Sequence, residues 1–357
     1  MSFLYCDPCV FVIENRYEIL VLTNENGLIG IKIGDRIFYE ENSGALPTEK
    51  THAKIRVPQE ALDNAQGYTV SFRKSIDRRA YYSLLGDECE AFYPFKPLTK
   101  TEDIHLYHVS DVHYRFELAK GTASYFGDDL DLLVVNGDIG EVETVGNYRE
   151  VAKFVSEVSG GSVPTVFTRG NHDTRGRLAE LYTDYFPAEG KNTYFTFDIG
   201  CLHGIVFDCG EDKTDAGVEY GGVNAFEPFR RRETDFFKGL VPSDKLTLAI
   251  GHLCPAQPTE EHGSIFDIEG DIYEEWIAEL ERVNTACMLC GHMHRAYILE
   301  KNDSRSLRSH NFPIIVGSAC HNDTLWGTAL TLHGNTVTVC FTDSCHTVME
   351  THEIRLQ

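Results

Sequence analysis

The first hundred residues contain short apolar stretches separated by clusters of polar turn residues. The stretches are rich in β-branched and aromatic residues and partly alternate between apolar and polar positions, which is typical of strands. The predicted strands are residues 11–13, 17–22, 28–33, 36–39, 53–57 and 68–73. Turn residues such as those at 24–27 and 42–44 lie between them. This spacing predicts a small β-sandwich over residues 1–98, in which 93–98 form a linker to the rest of the chain.

Beyond residue 98 the pattern changes to strands that alternate with helices. Continuous apolar runs of the buried-strand type are followed by stretches with helical spacing. The predicted strands are residues 104–109, 132–135, 163–168, 204–208, 245–250 and 286–289, and the predicted helices are 116–125, 148–158, 178–186, 227–240 and 271–283. After residue 296 only strands are predicted, at 313–316, 329–332, 337–341 and 351–356. We therefore predict an α/β (α+β) chain with two domains, an N-terminal β-sandwich over 1–98 and a second domain over 99–357.

Charge is unevenly distributed along this chain of 357 residues. The formal net charge is −23, from 55 acidic and 32 basic side chains. Residues 1–100 carry a net charge of −2, and the rest of the chain carries −21. A protein that coats nucleic acid needs a cationic surface, and a membrane helix needs about 18 consecutive apolar residues. We expect neither a nucleic-acid partner nor a membrane segment, whereas a small phosphate-bearing substrate is compatible if metal ions supply local positive charge.

The eleven cysteines are odd in number and follow no disulfide framework. The start of the chain lacks the basic and apolar segments of a signal peptide. Together these features favour a reducing compartment, most simply the cytoplasm. Cys287 and Cys290 form one of two Cys-x-x-Cys pairs, but positions i and i+3 of a strand face opposite sides. Inert thiols are therefore favoured over a zinc site.

Five of the predicted strands are followed directly by side chains of the types that bind metal ions in proteins. These side chains are Asp111, His113, Asp138, Asn171, His252, His292 and His294. Ligands of α/β sheets bind beyond the carboxyl ends of the strands, so we expect the seven to meet at one rim. A single Asp in such a place is more often a helix cap, and a single His is more often a surface or core residue. The recurrence after five strands favours a site, and glycines beside four of the sets allow close approach to an ion.

The types of side chain indicate the class of metal. Imidazole, carboxylate and amide groups without a thiolate suit zinc, iron or manganese. Seven ligands are more than one tetrahedral ion can take. Two ions about 3.5–4 Å apart that share a bridging carboxylate account for the number. The sequence therefore predicts a binuclear centre of two divalent ions.

The blocks that contain these side chains resemble the five signature blocks of the calcineurin-like metallophosphoesterases. They are residues 111–113 (Asp-Val-His), 137–138 (Gly-Asp), 170–173 (Gly-Asn-His-Asp), 251–252 (Gly-His) and 291–294 (Gly-His-Met-His). The resemblance covers roughly residues 104–345 and implies a β-sandwich flanked by helices, with a dimetal site at its rim. It implies that one ion is held by Asp111, His113 and His294. The other would be held by Asn171, His252 and His292, with Asp138 as the bridge.

The resemblance also implies catalytic roles. His172 matches the general acid of the family, which protonates or stabilises the leaving alkoxide, and Glu141 matches an acidic residue that orients this histidine. The implied enzyme is a metal-dependent phosphoric ester hydrolase that acts on phosphomonoesters or small phosphodiesters through a metal-bridging hydroxide. The N-terminal β region followed by this domain also resembles the purple acid phosphatases. At the position of His113 that branch has a residue that does not bind metal, and at the position of Glu141 it has a tyrosine ligand. Because this chain differs at both positions, the identity of its metal ions is left open between manganese, iron and zinc.

Substrate contacts are predicted in a long, polar, glycine-rich loop at 209–224, which we interpret as a lid on the substrate side. Tyr220 and Asn224 within it are candidate contacts, and so is Arg175, since arginine suits phosphate recognition. A structural ion pair is the alternative for Arg175, and it is favoured for Arg169. His321 follows a predicted strand and is a further candidate.

Two other functions compete with the small-molecule phosphoesterase. A nuclease of the same fold would need a cationic surface around the cleft, which the acidic composition does not favour. A scaffold that has lost catalysis would have lost ligands, whereas every block is present here. The oligomeric state and the role of residues 1–98 are not predicted by the sequence.

Overall fold

The computed structural model of the chain describes residues 2–258, 266–321 and 323–356. Within these ranges the strands are β1 (Cys9–Ile13), β2 (Arg16–Leu22), β3 (Gly27–Ile33), β4 (Arg36–Tyr39), β5 (His52–Pro58), β6 (Gly67–Arg78), β7 (Ser83–Pro94), β8 (Ile104–Val109), β9 (Leu132–Asn136), β10 (Thr165–Thr168), β11 (Phe195–Ile199), β12 (Leu202–Val206), β13 (Leu246–Ile250), β14 (Cys287–Cys290), β15 (Tyr297–Leu299), β16 (Ile314–Val316), β17 (Cys320–His321), β18 (Thr324–Leu325), β19 (Gly327–His333), β20 (Thr336–Thr342) and β21 (Val348–Arg355). The α-helices are α1 (Gln59–Ala65), α2 (Phe116–Ala123), α3 (Val145–Ser159), α4 (Tyr182–Tyr185), α5 (Phe226–Gly239) and α6 (Gly270–Arg282). Short 3₁₀ turns lie at Gly127–Asp129, His172–Thr174, Ala179–Leu181 and Val218–Tyr220.

Two large sheets form the centre of the fold. One has nine strands in the order β21-β20-β19-β8-β9-β10-β1-β2-β5, and the other has six in the order β11-β12-β13-β14-β16-β15. In the first sheet β8, β9 and β10 are parallel neighbours, and in the second β13 and β14 are parallel neighbours. The carboxyl ends of β8, β9 and β10 therefore lie at one edge of the first sheet, and those of β13 and β14 lie at one edge of the second.

The alternation of side chains along the strands builds three apolar layers. In β9, Leu132 and Val134 face a core between the two sheets, whereas Leu133 and Val135 face helices α2 and α3. On the other side, Trp276 of α6 packs in a third cluster with residues of β12 and β13. All residues of β9 are buried because both faces of the strand are covered, which explains its continuous apolar sequence. The predicted α/β class, a sandwich flanked by helices, is confirmed.

The strands before residue 98 divide between two sheets. β1 pairs in parallel with β10, with Phe11 opposite Thr165, and β2 and β5 continue the nine-stranded sheet outward. β3, β4, β6 and β7 form a separate four-stranded sheet, whose Ile31 and Val70 share the central core with Val12. The predicted division into residues 1–98 and 99–357 is therefore not a division between sheets. As a statement about independent folding units, it stays a prediction.

Six of the described helices and strands are absent from the sequence-based prediction, namely α1, β7, β11, β15, β17 and β18, the last three of which have only two or three residues each. β7 is largely exposed along its length, so it carries no apolar pattern, and its end overlaps the predicted linker at 93–98. α1 is a single short helix of seven residues. β11 has an alternating pattern of buried and half-buried residues that the sequence analysis passed over. The predicted helix at 178–186 is a 3₁₀ turn followed by the single turn α4.

Two further observations concern composition. None of the helices in the described part of the chain has the length and apolar character to cross a membrane. The cysteines are free, and Cys287 faces the core between the sheets while Cys290 belongs to the cluster on the other face of β14. The side chains that could hold a metal ion in the described ranges include no cysteine.

Candidate metal centre

The loops that follow β8, β9, β10, β13 and β14 converge at one rim of the sandwich. They bring together the seven side chains that the sequence analysis singled out as metal ligands. Asp111, Asp138, Asn171 and His252 are almost completely buried. The three other histidines of the set are partly exposed, so the centre has a buried floor and a side that opens to solvent.

The first group of candidate ligands contains Asp111, His113, Asp138 and His294, each with a ligand atom within 4.8 Å of the others. The Nε2 atoms of His113 and His294 are 3.2 Å apart, and Nε2 of His294 lies 3.4 Å from Oδ1 of Asp111. Nε2 of His113 lies 3.9 Å from Oδ2 of Asp138. Four nitrogen and oxygen atoms thus surround one small space.

The second group contains Asp138, His252 and His292, again within 4.8 Å of one another. Nε2 of His252 lies 3.1 Å from Oδ2 of Asp138. Nδ1 of His292 lies 3.0 Å from Oδ1 of Asn171, which brings the amide oxygen to the same place. Asp138 belongs to both groups, so its carboxylate lies between the two spaces.

The electrostatics of His252 indicate that a cation fits this centre. Nδ1 of His252 lies 2.7 Å from the carbonyl oxygen of Asn136, so it carries the proton and donates it there. The buried Nε2 has no hydrogen bond of normal geometry in the described residues and faces the carboxylates of Asp138 and Asp111, the latter at 3.8 Å. Burial alone would lower the pKa of His252, but these carboxylates raise it to about 10. With this pKa the imidazole holds a proton on Nε2 near pH 7 when no metal is present, and a metal ion would take the place of that proton between the nitrogen and the two carboxylates.

The other donors are held in the states that bind metal ions. Burial lowers the pKa of His113 to about 4 and that of His292 to about 3, so both imidazoles are neutral near pH 7. The neutral imidazole is the form that ligates. Burial raises the pKa of Asp111 to about 7, with a contribution from the Asp138 carboxylate that the charge of His252 opposes, and a metal ion would favour the ionised form that ligates. The donor set therefore fits one or more divalent ions.

The backbone at the centre is strained. Five of the seven residues have a positive φ, namely Asp111 (54°), His113 (43°), Asp138 (54°), His292 (70°) and His294 (51°). The left-handed conformation costs an L-residue roughly 1–2 kcal/mol. Such strain persists where the surrounding structure enforces it, and it concentrates at functional sites.

Asp173 is one of the residues that enforce this backbone. Its carboxylate accepts hydrogen bonds from the backbone N–H groups of Asp138 (2.8 Å), Gly170 (2.8 Å) and Ile139 (3.0 Å). The loops after β9 and β10 are thereby joined. Asp173, the last residue of the Gly-Asn-His-Asp block, therefore supports the loops that carry the candidate ligands.

Two glycines allow these loops to touch. A Cβ on Gly137, whose φ is 74°, would lie 2.5 Å from the backbone nitrogen of Gly170. A Cβ on Gly170 would lie 2.3 Å from Oδ1 of Asp138. A side chain at Gly170 would displace the candidate bridging carboxylate, and one at Gly137 would push the loop after β10 and the ring of His252 away.

The sequence analysis missed Asn136 and Ser110. Besides its contact with His252, Asn136 reaches the second sheet through its side-chain amide, which donates to the carbonyl oxygens of Gly251 (3.3 Å) and Leu289 (3.2 Å). The Ser110 hydroxyl donates to Oδ2 of Asp111 at 2.6 Å. Both residues stand directly beside a predicted ligand block, which was the only signal available.

His172 lies at the open side of the centre. Its backbone N–H donates to Oδ1 of Asp138 at 2.8 Å, and its ring meets that of His113 edge to face, with centroids 4.7 Å apart. Nδ1 lies 2.6 Å from Oε1 of Glu141. Burial would raise the pKa of Glu141, but the hydrogen bond from His172 outweighs it and lowers the pKa. The carboxylate therefore fixes the orientation of the imidazole.

Arg175, Tyr220 and Asn224 line one cavity of about 800 Å³ beside His172. Nη1 of Arg175 lies 3.0 Å from Nε2 of His172, while Nε lies 2.5 Å from Oε1 of Glu211. The Tyr220 hydroxyl also contacts Glu211. The three predicted substrate residues are thus together, although two of them are also tied to a buried carboxylate.

Two further predictions concern neighbouring residues. Nε of Arg169 lies 2.7 Å from Oδ2 of Asp208, and its guanidinium lies beside the rings of Tyr182, Phe226 and Phe229, which favours the structural alternative. The His321 side chain lies outside what the structure describes, so its contact with substrate stays a prediction.

Comparison with known proteins adds a family and a fold. A family model of the calcineurin-like phosphoesterases matches residues 104–296. A purple acid phosphatase from yellow lupin (Lupinus luteus) superposes with a TM-score of 0.60 at 11% identity, over 98% of this chain and 74% of that one. A structure of PhoD gives 0.60 at 11% identity, over 99% of this chain and 89% of that one. A search of curated proteins found no match.

The two superpositions include the N-terminal strands, because they cover almost the whole chain. At such low identity they support the fold alone. The family model spans more than half of the chain and includes the loops that carry all seven candidate ligands. The chain belongs to the calcineurin-like phosphoesterase family, and it is a metal-dependent phosphoric ester hydrolase.

Proposed function

We propose that the protein hydrolyses phosphomonoesters or small phosphodiesters with two divalent ions. The observation that carries this proposal is the overlap of two groups of ligand atoms at one carboxylate, that of Asp138. A single ion would not require a second set of imidazoles beyond the shared carboxylate. Two-metal sites that attack phosphorus use this arrangement.

In this proposal Asp111, His113 and His294 hold one ion. Asn171, His252 and His292 hold the other, and Asp138 bridges them. The donor set of imidazole, carboxylate and amide suits manganese, iron or zinc. When bound, the pair of ions would lower the pKa of a water molecule and neutralise charge on the phosphoryl oxygens. Asn136 keeps the proton of His252 on Nδ1 and so leaves Nε2 free to ligate.

His172 acts as the general acid that protonates or stabilises the leaving oxygen. Glu141 accepts the hydrogen bond of Nδ1, so Nε2 is the atom that faces the substrate. The position of His172, with its backbone bonded to Asp138 and its side chain partly exposed, suits contact with a phosphoester bound at the open side.

Arg175, Tyr220 and Asn224 form the substrate side of the site. Since Nη1 of Arg175 lies 3.0 Å from Nε2 of His172, one oxygen atom of the substrate can contact both groups. The buried carboxylate of Glu211 holds the guanidinium in this place through Nε and Nη2. The fixed fork of arginine suits a phosphoryl oxygen better than a lysine would.

The test is metal analysis combined with a phosphoester panel. Apoprotein is prepared by chelation, reconstituted with manganese, ferrous iron or zinc, and assayed with p-nitrophenyl phosphate and bis-p-nitrophenyl phosphate. We expect two ions per chain and hydrolysis that depends on the added metal. One ion at saturation would refute the binuclear centre. Absence of metal-dependent hydrolysis of either ester would refute the proposed reaction.

A further inference from the structure

The cavity adjoins His172, the proposed proton donor to the leaving group, through Arg175. If His172 protonates the leaving oxygen, as proposed above, the rest of the leaving group extends away from the metal ligands. Arg175 lies next to His172 and also lines the cavity, so it joins the two spaces. The volume of about 800 Å³ is in the range of sites for small organic molecules.

The described walls of this cavity are cationic, although the chain as a whole has a net charge of −23. Four basic side chains line it, namely Arg169, Arg175, Arg177 and Lys213, together with one acidic side chain, Glu180. The buried carboxylates of Asp208 and Glu211 pair with Arg169 and Arg175, so these two cations belong to the framework.

The two other cations are less well paired. Lys213 contacts Asp212 at 3.0 Å, but this carboxylate is also shared with Arg175 at 3.1 Å. Arg177 is exposed and makes no ion pair with the described residues. An anion that entered the cavity would therefore find positive charge without displacing an existing carboxylate from Arg177.

The lining of the cavity also contains apolar and aromatic side chains. These are Tyr220, Phe226 and Val223, the last with 86% of its surface exposed. An exposed valine beside a cationic wall suits an organic group that carries a charge at one end. A small neutral alcohol as the leaving group would make no ion pair with the basic side chains.

We infer that the substrate is a small organic phosphate whose leaving group bears a second anionic group, a phosphate or a carboxylate, and that Arg177 and Lys213 bind this group. This inference rests on the proposed function for the direction of the leaving group. It adds a class of substrate and two residues that determine specificity.

The kinetic test compares two esters that differ by one carboxylate, phenyl phosphate and 4-carboxyphenyl phosphate. The quantity measured is the ratio of their kcat/KM values, in the parent and in the Arg177→Ala/Lys213→Ala variant. Comparing ratios between proteins cancels the difference in leaving-group chemistry. We expect the ratio to fall about fivefold or more in the variant, since each pairing contributes a modest electrostatic energy. An unchanged ratio would overturn the inference.

A binding test separates this inference from the proposed reaction. Benzylphosphonate and 4-carboxybenzylphosphonate cannot be hydrolysed, and their dissociation constants are measured by calorimetry on the metal-loaded protein. We expect the parent to bind the carboxylated compound more tightly and the variant to lose the difference. If the parent binds both equally, the inference is wrong even when the enzyme is active. If the preference is present without turnover, the assignment of Arg177 and Lys213 to binding of the second anion stands and the proposed reaction fails.

The matched control removes the same two charges elsewhere. Arg36 and Lys301 are exposed and do not line the cavity. We expect the Arg36→Ala/Lys301→Ala variant to keep the preference of the parent. A loss of preference in this control as large as in Arg177→Ala/Lys213→Ala would mean that only the net charge matters, and would also overturn the inference.

Discussion

Asp138 is the residue on which the two candidate metal positions depend. Its carboxylate belongs to both groups of ligand atoms, and its backbone is held in a left-handed conformation by contacts to Asp173. We expect Asp138→Ala to lose metal as well as activity, because no other carboxylate in either group can take its place. The measurement is metal content after gel filtration, with circular dichroism to establish folding. Retention of two ions by the folded variant would contradict the bridging role.

His172 is expected to behave differently, because its side chain belongs to neither group of candidate ligands. His172→Ala should keep its metal, while kcat falls by about 10²–10⁴, the usual contribution of a general acid. The loss should be smaller for p-nitrophenyl phosphate than for phenyl phosphate, since the nitrophenolate departs with less need of a proton. An equal loss with the two esters would argue against proton donation by this residue.

Glu141 is expected to act through His172 alone. It contacts Nδ1 of the imidazole at 2.6 Å and lies outside both groups of ligand atoms. We expect Glu141→Gln to lower kcat on the order of tenfold, and to have almost no effect when His172 is already alanine. The measurement is a double-mutant cycle on kcat with phenyl phosphate. Additive losses would show that Glu141 has a separate function.

The positions of the seven candidate ligands follow from the sequence, since each stands directly after a buried strand. Their conformations do not. A positive φ at Asp111 or His294 has no signal in the residue type, because the strain is imposed by other loops. Asn136 likewise reads as the last residue of a strand, and only the pairing of two distant sheets reveals its contacts with the second sheet.

At the scale of elements, the loops after β9 and β10 act as one unit held by Asp173. Its carboxylate accepts at least three backbone hydrogen bonds, and an asparagine would turn an amide towards these donors. We expect Asp173→Asn to lower the free energy of unfolding by about 1–3 kcal/mol, the cost of unsatisfied buried donors. The measurement is urea unfolding of the metal-free protein, with the exposed Asp128→Asn as control. Equal stability of the two variants would contradict this role.

Strong periodicity made most elements predictable. The helices at 227–240 and 271–283 were placed within one residue of α5 and α6, because each has one apolar stripe against the six-stranded sheet. The strand β7 was not predicted, because it lacks such a pattern. Its residues are partly or fully exposed, although Ala91 and Tyr93 pack against the central core, so hydrogen bonds to β6 define the strand with little apolar pattern.

At the scale of the whole molecule, the sequence could not show which sheet the N-terminal strands join. β1 and β2 look like any short buried strands, and a small sandwich is a common way to cover them. The parallel pairing of β1 with β10 depends on a contact between residues about 150 positions apart, Phe11 and Thr165. No local pattern encodes such a partner. The consequence is that residues 1–98 contribute to the core that supports the candidate metal centre.

This shared core predicts the result of removing residues 1–98. Without β1, the edge of β10 would be unpaired, and the fully buried face of the nine-stranded sheet beside it would meet water. We therefore expect residues 99–357 alone to aggregate, as measured by size-exclusion chromatography and metal content. The matched control replaces residues 76–84, the tip of the β6–β7 hairpin with its exposed Tyr81, by Asn-Gly and should stay monodisperse and active. A monodisperse 99–357 fragment that binds metal would instead show that the N-terminal strands are an accessory to a self-sufficient catalytic domain.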